Sequence, residues 1–172
     1  MYIVENEIVL REFLEKDVAN KVEWINNFEN NTYLHYDIPL TYEKTLAWYK
    51  GKDNEKRRDL VIEYLGIPVG IIGLLCIDNV NSKAEFYISM GNTSFKRKGI
   101  ATKATKMLLK HAFEDLNLNK VYLNVDEENE IACRLYEKVG FKCEGVFIKD
   151  LFHRGKYINR KRYAILHNEF LG

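Results

Sequence analysis

A basic segment with a single glycine joins a strand-like run to the start of a long helical pattern. It consists of Lys96, Arg97, Lys98, Gly99, Ile100 and Ala101. Gly99 has no Cβ, so the backbone can approach a ligand closely, and the helix start presents unpaired N–H groups. Those donors and the positive end of the helix dipole suit a phosphate or pyrophosphate. An ordinary capped helix with a solvated basic face accounts for the same residues, so the spacing leaves both interpretations open.

Other kinds of site chemistry find no support in the sequence. There is no GxxxxGK[ST] and no GxGxxG, which disfavours Walker-type nucleotide hydrolases and Rossmann dinucleotide enzymes. There is no GxSxG, and no cysteine has a plausible base, so covalent catalysis is unsupported. The histidines and cysteines lack metal-ligand spacing, and we expect no metal site. They are His35, His111, His153, His167, Cys76, Cys133 and Cys143.

Hydrophobic periodicity predicts the elements that must position this segment. Strands are predicted over residues 8–10, 60–64, 69–76, 84–90, 121–125, 141–148 and 157–166. Helices are predicted over residues 17–28, 42–50, 100–112 and 131–139, with Thr41 and Asn129 as N-caps and Gly140 as a left-handed C-terminal residue. A three-strand antiparallel meander, then β-α-β-α, then a final hairpin predict an α+β fold around a central mixed sheet.

Length and composition narrow the class of protein. The 172 residues, 47% of them apolar, suit one domain spanning residues 1–172, with no repeat or linker-like segment. A net charge of +1 argues against a nucleic-acid partner. No apolar run approaches the length of a membrane span, and the N-terminus lacks the features of a signal peptide. Unpaired cysteines fit a reducing compartment, so we expect a cytoplasmic protein without a membrane partner.

Two motifs together resemble the GCN5-related N-acetyltransferase (GNAT) superfamily. Residues 96–101 look like its Q/R-x-x-G-x-G/A pyrophosphate loop, with Lys96 where Gln or Arg is usual. Residues 129–141 are similar to its N-x-x-A-x-x-x-Y-x-x-x-G-F motif almost position for position. The nearest branch contains ribosomal-protein, spermidine/spermine and amino-sugar acetyltransferases. The resemblance implies a GNAT-like fold, a central, largely antiparallel twisted sheet flanked by about four helices.

The resemblance also implies acetyl-CoA as the acetyl donor and a set of residues that hold it. The pyrophosphate would lie on the loop and on Thr102. The pantetheine arm would pair with the backbone of Ile88, Ser89 and Met90, which requires two strands to splay apart, and Ser89 to Asn92 would permit this. Asn129 would bond to the pantetheine, and Tyr136 would reach the sulfur. Because the loop works through backbone amides, we expect it to bind acetyl-CoA even though Lys96 stands where Gln or Arg is usual.

Two side chains are implied to carry out the chemistry. Tyr136 would be the general acid, since a phenol with a pKa near 10 is protonated at pH 7 and can donate to a departing thiolate. Glu85, on the strand before the loop, would be the general base, either directly or through water. Asp126 and Asp37 are alternative bases, and a water chain without a dedicated base is a further alternative.

The amine acceptor stays open among three classes. We expect Tyr33, His35, Tyr36 and Asp37, together with the hairpin near residues 150–157, to contact it. These residues favour a small-molecule amine, either an amino sugar or a polyamine. The aromatic and hydrogen-bonding groups suit an amino sugar better, because Ile38 and Thr41 stand where carboxylates would help to bind a polyamine. A protein N-terminus is the alternative substrate, and a non-catalytic acyl-CoA-binding module is the alternative function. Basic residues in the final strand alternate between its faces, which disfavours nucleic acid, and edge strands make a homodimer possible.

Overall fold

The structure, a computed structural model, describes residues 2–170 of the chain. In this part of the chain the strands are β1 (Tyr2–Glu5), β2 (Ile8–Glu12), β3 (Arg58–Tyr64), β4 (Ile67–Asp78), β5 (Lys83–Met90), β6 (Lys120–Asp126), β7 (Lys142–His153) and β8 (Lys156–Leu166). The α-helices are α1 (Val18–Asn26), α2 (Tyr42–Gly51), α3 (Ile100–Glu114) and α4 (Glu130–Val139).

All of these strands join one mixed sheet in the order β1-β2-β3-β4-β5-β6-β8-β7. Every neighbouring pair is antiparallel except β5 and β6, which run parallel. The parallel pair is the one place where the chain crosses over through a long helix, α3, as parallel neighbours require. The predicted α+β fold with a central mixed sheet and four flanking helices is confirmed.

Local sequence signals explain most of the boundaries. Thr41 accepts a hydrogen bond from the Lys44 amide and starts α2, and Asn129 does the same for Ala132 in α4. Gly140 ends α4 with a φ of 113°, a conformation that favours glycine. The sequence prediction omitted β1, whose residues are mostly exposed and carry no clear alternation, and it extended α1 beyond its end at Asn26.

The two faces of the sheet are covered by different helices. On one face, α3 and α4 pack over a large apolar core that includes Phe86, Leu108, Leu123 and Tyr136. On the other face, α1 and α2 pack over a smaller core around Phe13, Trp24 and Ile71. Successive residues of β5 and β6 point to opposite faces, so each strand presents apolar side chains to the large core and polar ones to the α1/α2 face. None of the helices described between residues 2 and 170 is long and apolar enough to cross a membrane.

Candidate active site

The central feature of the site is the divergence of β5 from β6. The two strands pair only at Lys83 with Lys120, Ala84 with Val121 and Glu85 with Tyr122. Beyond Glu85, β5 continues to Met90 while remaining paired with β4 on its other side. The backbone of Ile88, Ser89 and Met90 therefore faces the opening between the strands. The divergence starts before Ser89, earlier than the position that the sequence suggested for it.

The glycine-containing basic loop lies at the start of α3, as predicted. Gly99 is the N-cap with a φ of 72°, and no atom lies within 4 Å of where its Cβ would be. Arg97 also has a positive φ of 65°. Ile100 is buried, whereas Ala101 and Thr102 are half-buried. Open space above Gly99 and the unpaired amides of the first helical turn fit a pyrophosphate group.

The two lysines of the loop are exposed. Lys96 reaches the backbone oxygen of Glu29 at 3.4 Å. The Lys98 ammonium lies 5.1 Å from the centre of the Phe95 ring. Both contacts are at the surface, so these side chains are available to bind an anion. The loop thus offers backbone donors at its centre and cationic side chains at its margins.

Asn129 lies at the start of α4, beside the open end of β6. Its side-chain oxygen accepts from the Ala132 amide at 3.2 Å, and its backbone N–H donates to the Asp126 oxygen at 2.9 Å. The cap uses the amide oxygen and leaves the NH₂ group as a donor. Asn129 is therefore fixed at the mouth of the opening with a donor to offer.

Tyr136 lies in the large core on the α3/α4 face, only 7% exposed. Its ring packs against the rings of Phe86, Phe141 and Tyr163 at centre-to-centre distances of 5.7–6.2 Å. Burial, with a further contribution from Cys133, raises the pKa of the Tyr136 hydroxyl above its usual value. The phenol consequently stays protonated throughout the neutral range.

Glu85 faces the opposite, α1/α2 face, because side chains alternate along β5 and its neighbour Phe86 lies in the large core. One of its carboxylate oxygens accepts from the Asn124 side chain at 3.3 Å. Asn124 in turn accepts from Arg162 at 3.1 Å, and the Arg162 guanidinium stacks over Tyr122 at 4.4 Å. Glu85 is thus held at the closed end of the divergence, where β5 and β6 still pair.

At the open end of the divergence, three titratable side chains from separate elements meet. His35 Nε2 lies 2.7 Å from Asp126 Oδ1, and the His35 and His153 rings meet edge to face with centres 4.5 Å apart. Asp126 ends β6, His153 ends β7, and His35 belongs to the loop between α1 and α2. The sequence prediction assigned His153 no role of its own beyond its place in the hairpin near residues 150–157, because no local spacing links residues so distant along the chain.

The other predicted acceptor residues separate into two groups. The Tyr33 hydroxyl donates to the backbone oxygen of Glu128 at 3.2 Å, close to Asn129. Tyr36 instead lies near Lys21, whose ammonium is 5.6 Å from its ring, and burial raises the pKa of Tyr36. Asp37 is exposed. The structure therefore brings Tyr33 and His35 to the open end of the divergence, while Tyr36 packs beneath α1.

Within residues 2–170, no cluster of His, Cys, Asp or Glu side chains has an arrangement that would hold a metal ion. The three cysteines are free thiols, and only Cys133 is buried. A small cleft of about 110 Å³ borders the same end of the sheet and is lined by Glu127, Glu128, Lys156, Tyr157, Ile158 and Asn159.

Comparison with known proteins agrees with this geometry. Residues 7–142 match the family model described as an acetyltransferase (GNAT) domain. The spermidine N(1)-acetyltransferase of Escherichia coli (strain K12) is 33% identical over 162 residues, covering 92% of this chain and 86% of that protein. The Vibrio cholerae enzyme of the same name is 35% identical over 171 residues, covering 98% of both. A crystal structure of Vibrio cholerae spermidine N-acetyltransferase with CoA and spermine superposes with a TM-score of 0.89 at 27% identity, covering 98% of this chain and all of that one.

Proposed function

The chain belongs to the GNAT acetyltransferase family and is an acetyl-CoA-dependent N-acetyltransferase of a small-molecule amine, and on this premise we propose that its acceptor is a polyamine. The observation that carries the proposal is the set of carboxylates beside the divergence of β5 and β6, where the end of strand pairing would leave a passage between the two faces of the sheet. Donor and acceptor can approach this passage from different sides.

The donor side is formed by the loop before α3 and by the free edge of β5. In the proposal, the pyrophosphate lies on the backbone amides from Lys96 to Thr102. The pantetheine arm pairs with the backbone of Ile88, Ser89 and Met90, and the Asn129 NH₂ group donates to it. Extended backbone with an unused edge pairs readily with an amide-containing chain. One N–H group of this edge would polarise the thioester carbonyl.

Tyr136 is proposed as the general acid. It lies on the α3/α4 face, which is opposite the polar side chains of β5 and β6. A thioester placed in the passage would thus have the phenol on one side and the attacking amine on the other. Because burial keeps the phenol protonated, its proton is available when the C–S bond breaks and the thiolate leaves.

The acceptor side carries the negative charge that a polycation needs. Glu85 and Asp126 project from this face of β5 and β6, and Glu127 and Glu128 continue from the end of β6. Carboxylates spaced along a groove attract a chain of ammonium groups through long-range electrostatics. Glu85, which the family resemblance nominates as a base, would contribute its charge at the closed end of this groove.

The experiment is acetyl-CoA turnover against polyamines, amino sugars and peptides with free N-termini, with product mass as the readout. We expect acetylated spermidine or spermine, and Tyr136→Phe should lower kcat at least 100-fold. Tyr163→Phe is the matched control, because it removes from the same aromatic cluster a hydroxyl that donates to Glu137 at 2.7 Å. Acetylation of a sugar or a peptide alone would refute the polyamine proposal, and binding of acetyl-CoA without turnover would indicate a non-catalytic module.

A cytoplasmic location and self-association also remain predictions. One edge of the sheet is β7, where Phe147, Ile148 and Phe152 are exposed. An exposed, apolar edge strand favours pairing with another chain, and a second copy would cover it symmetrically. Light scattering coupled to size-exclusion chromatography should then give twice the mass of the chain, whereas a monomer would contradict this prediction.

A further inference from the structure

The His35–Asp126–His153 cluster contains a histidine that a carboxylate holds in one orientation, as a general base requires. The Asp126 side chain is 4% exposed and that of His35 is 23% exposed, so a buried carboxylate faces a partly accessible imidazole. At 2.7 Å, the His35 Nε2–H donates to Asp126 Oδ1. A hydrogen bond from one ring nitrogen fixes the tautomer and leaves a lone pair on the other nitrogen, Nδ1. A base held by a carboxylate in this way is a recurring catalytic arrangement.

His153 completes the cluster from the hairpin. Its ring meets the His35 ring at 90°, and its Nε2 atom is buried without a hydrogen-bond partner among the described residues. Burial, His35 and Arg154 all lower the pKa of His153, against the opposing effect of Asp126. A neutral His153 supports the His35 ring without adding a second positive charge beside it.

The groups that face the cluster from each side are fixed by contacts of their own. From the hairpin, the Arg154 guanidinium is bonded to the backbone and side-chain oxygens of Asn31 at 3.1 and 3.2 Å. From the turn after β6, Glu128 is paired with Lys156 at 3.2 Å and accepts from Tyr33 through its backbone. The carboxylate bonded directly to His35 is that of Asp126. The cluster is therefore tied to the loop after α1, to β6 and to the hairpin at once.

The position of the cluster matches the place where an amine must attack. Asp126 ends β6 at the open end of the divergence, and its backbone oxygen accepts from the Asn129 amide at 2.9 Å. Glu85 lies at the closed end, where the strands still pair and where Asn124 already bonds to it. A base at the open end meets the acceptor nitrogen on the acceptor side of the passage.

We propose that His35 removes the proton from the acceptor ammonium, and that Asp126 and His153 are positioning residues that fix its tautomer and its ring. This inference rests on the proposed function. The Nδ1 lone pair takes one proton, and the N–H electrons become the lone pair with which the amine attacks the thioester carbon. The new C–N bond forms, the C–S bond breaks, and the thiolate receives a proton from Tyr136. Once the C–N bond has formed, the nitrogen loses a second proton, which restores the Tyr136 phenol. His35 then releases its own proton to water.

The test is the pH dependence of kcat and kcat/KM for wild type, His35→Gln, Asp126→Asn and His153→Asn. We expect His35→Gln to lower kcat at pH 7 by about 100-fold, since general bases contribute 10²–10⁴-fold. This loss of kcat should shrink as pH rises, because more of the amine is then already deprotonated in solution. Asp126→Asn should lower kcat by at least tenfold and His153→Asn by less. His167→Gln is the matched control, because His167 is exposed and lies at the opposite end of β6, where its backbone bonds to Asn119.

A second measurement separates chemistry from folding and binding. His35→Ala should regain activity with added imidazole, while its acetyl-CoA affinity by calorimetry stays at the wild-type value. A His35→Gln variant that raises KM but keeps kcat and the wild-type pH profile would overturn the proposal. A loss of kcat that occurs only in Glu85→Gln would overturn it as well. If the wild type itself acetylates none of the amines, the proposed function fails. If the wild type turns over and His35→Gln keeps the wild-type kcat and pH profile, only the base assignment fails.

Discussion

Lys21 carries its ammonium group inside the smaller apolar core, which is unusual for a lysine. The residue is 7% exposed, and its Nζ atom lies 3.4 Å from the centre of the Trp48 ring. The nearby carboxylate, Asp59, is already bound by two hydrogen bonds from Arg57 and one from the Tyr87 hydroxyl, each 2.7 Å long. Burial therefore dominates and lowers the pKa of Lys21 to about 8 from 10.5.

Lys21 should make stability depend on pH in the alkaline range. Between pH 8 and pH 10.5 the unfolded chain holds a proton on Lys21 that the folded chain has lost, so the free energy of unfolding rises with pH. Below pH 8 both states are charged and the contribution is constant. From pH 7 to pH 10.5 we expect wild type to gain about 3 kcal/mol relative to Lys21→Met, at 1.36 kcal/mol per pKa unit. Urea unfolding at several pH values measures this, and the exposed Lys44→Met provides the control. A pH-independent difference for Lys21→Met would contradict the burial argument.

At the residue scale, the sequence predicted chemistry best where the contributing residues are close along the chain. The loop from Lys96 to Ala101 and the segment from Asn129 to Gly140 are each one short, continuous stretch of the chain, so spacing fixes the relative positions of their residues. His35 and Asp126 are 91 residues apart, and only the topology of the sheet brings them together. No periodicity in the sequence reports such a contact.

At the scale of elements, the position of α1 against the end of β5 depends on Gly91. A Cβ at Gly91 would fall inside the Trp24 side chain. The Asn30 side chain joins the same two elements by donating to the backbone oxygens of Gly91 and Trp24, at 2.8 and 3.1 Å. The loop that carries His35 follows α1, so this packing positions the acceptor side relative to the passage.

Gly91→Ala should therefore destabilise the protein and impair acetylation together. We expect a loss of about 2 kcal/mol in the free energy of unfolding, within the range for overpacking a well-filled site. Gly145→Ala is the control, because no atom lies within 4 Å of the Cβ site in β7 and its φ lies outside the left-handed region that favours glycine. Chemical denaturation and steady-state kinetics on both variants measure the effects. Equal stability of the two variants would show that Trp24 can move at no cost.

The elements themselves were largely predictable because local rules dominate them. Caps at Thr41 and Asn129, the glycine after α4 and the alternation in β3 to β6 all appear where the sequence indicated. The start of the β5–β6 divergence was misplaced, since it depends on how far two strands 30 residues apart stay in register. The register shifts of β7 against β8, which extend that hairpin to His153, depend likewise on pairing rather than on propensity.

At the scale of the whole molecule, the two apolar cores share one sheet. Strands β3 to β5 contribute to both, with Leu60 and Ile62 in the large core and Val61 in the small one. Exposing either core would therefore expose one face of the same strands. Because the cores lie on opposite faces of a continuous sheet, we expect the single domain predicted from the sequence to unfold in one transition.

Acetyl-CoA binding should raise the temperature of that single unfolding transition. The donor contacts proposed here, at β5, α3 and α4, belong to elements of one cooperative unit, so a ligand at 100 times its Kd adds about 2.7 kcal/mol to the folded state. Differential scanning calorimetry should show one peak that moves to higher temperature with acetyl-CoA. In Gly99→Ala, a side chain at a φ of 72° costs about 1–2 kcal/mol and fills the open space at the helix start, so the ligand-induced shift should shrink. Two separate peaks, of which acetyl-CoA moves only one, would instead divide the sheet into independent units and place the donor site on one of them.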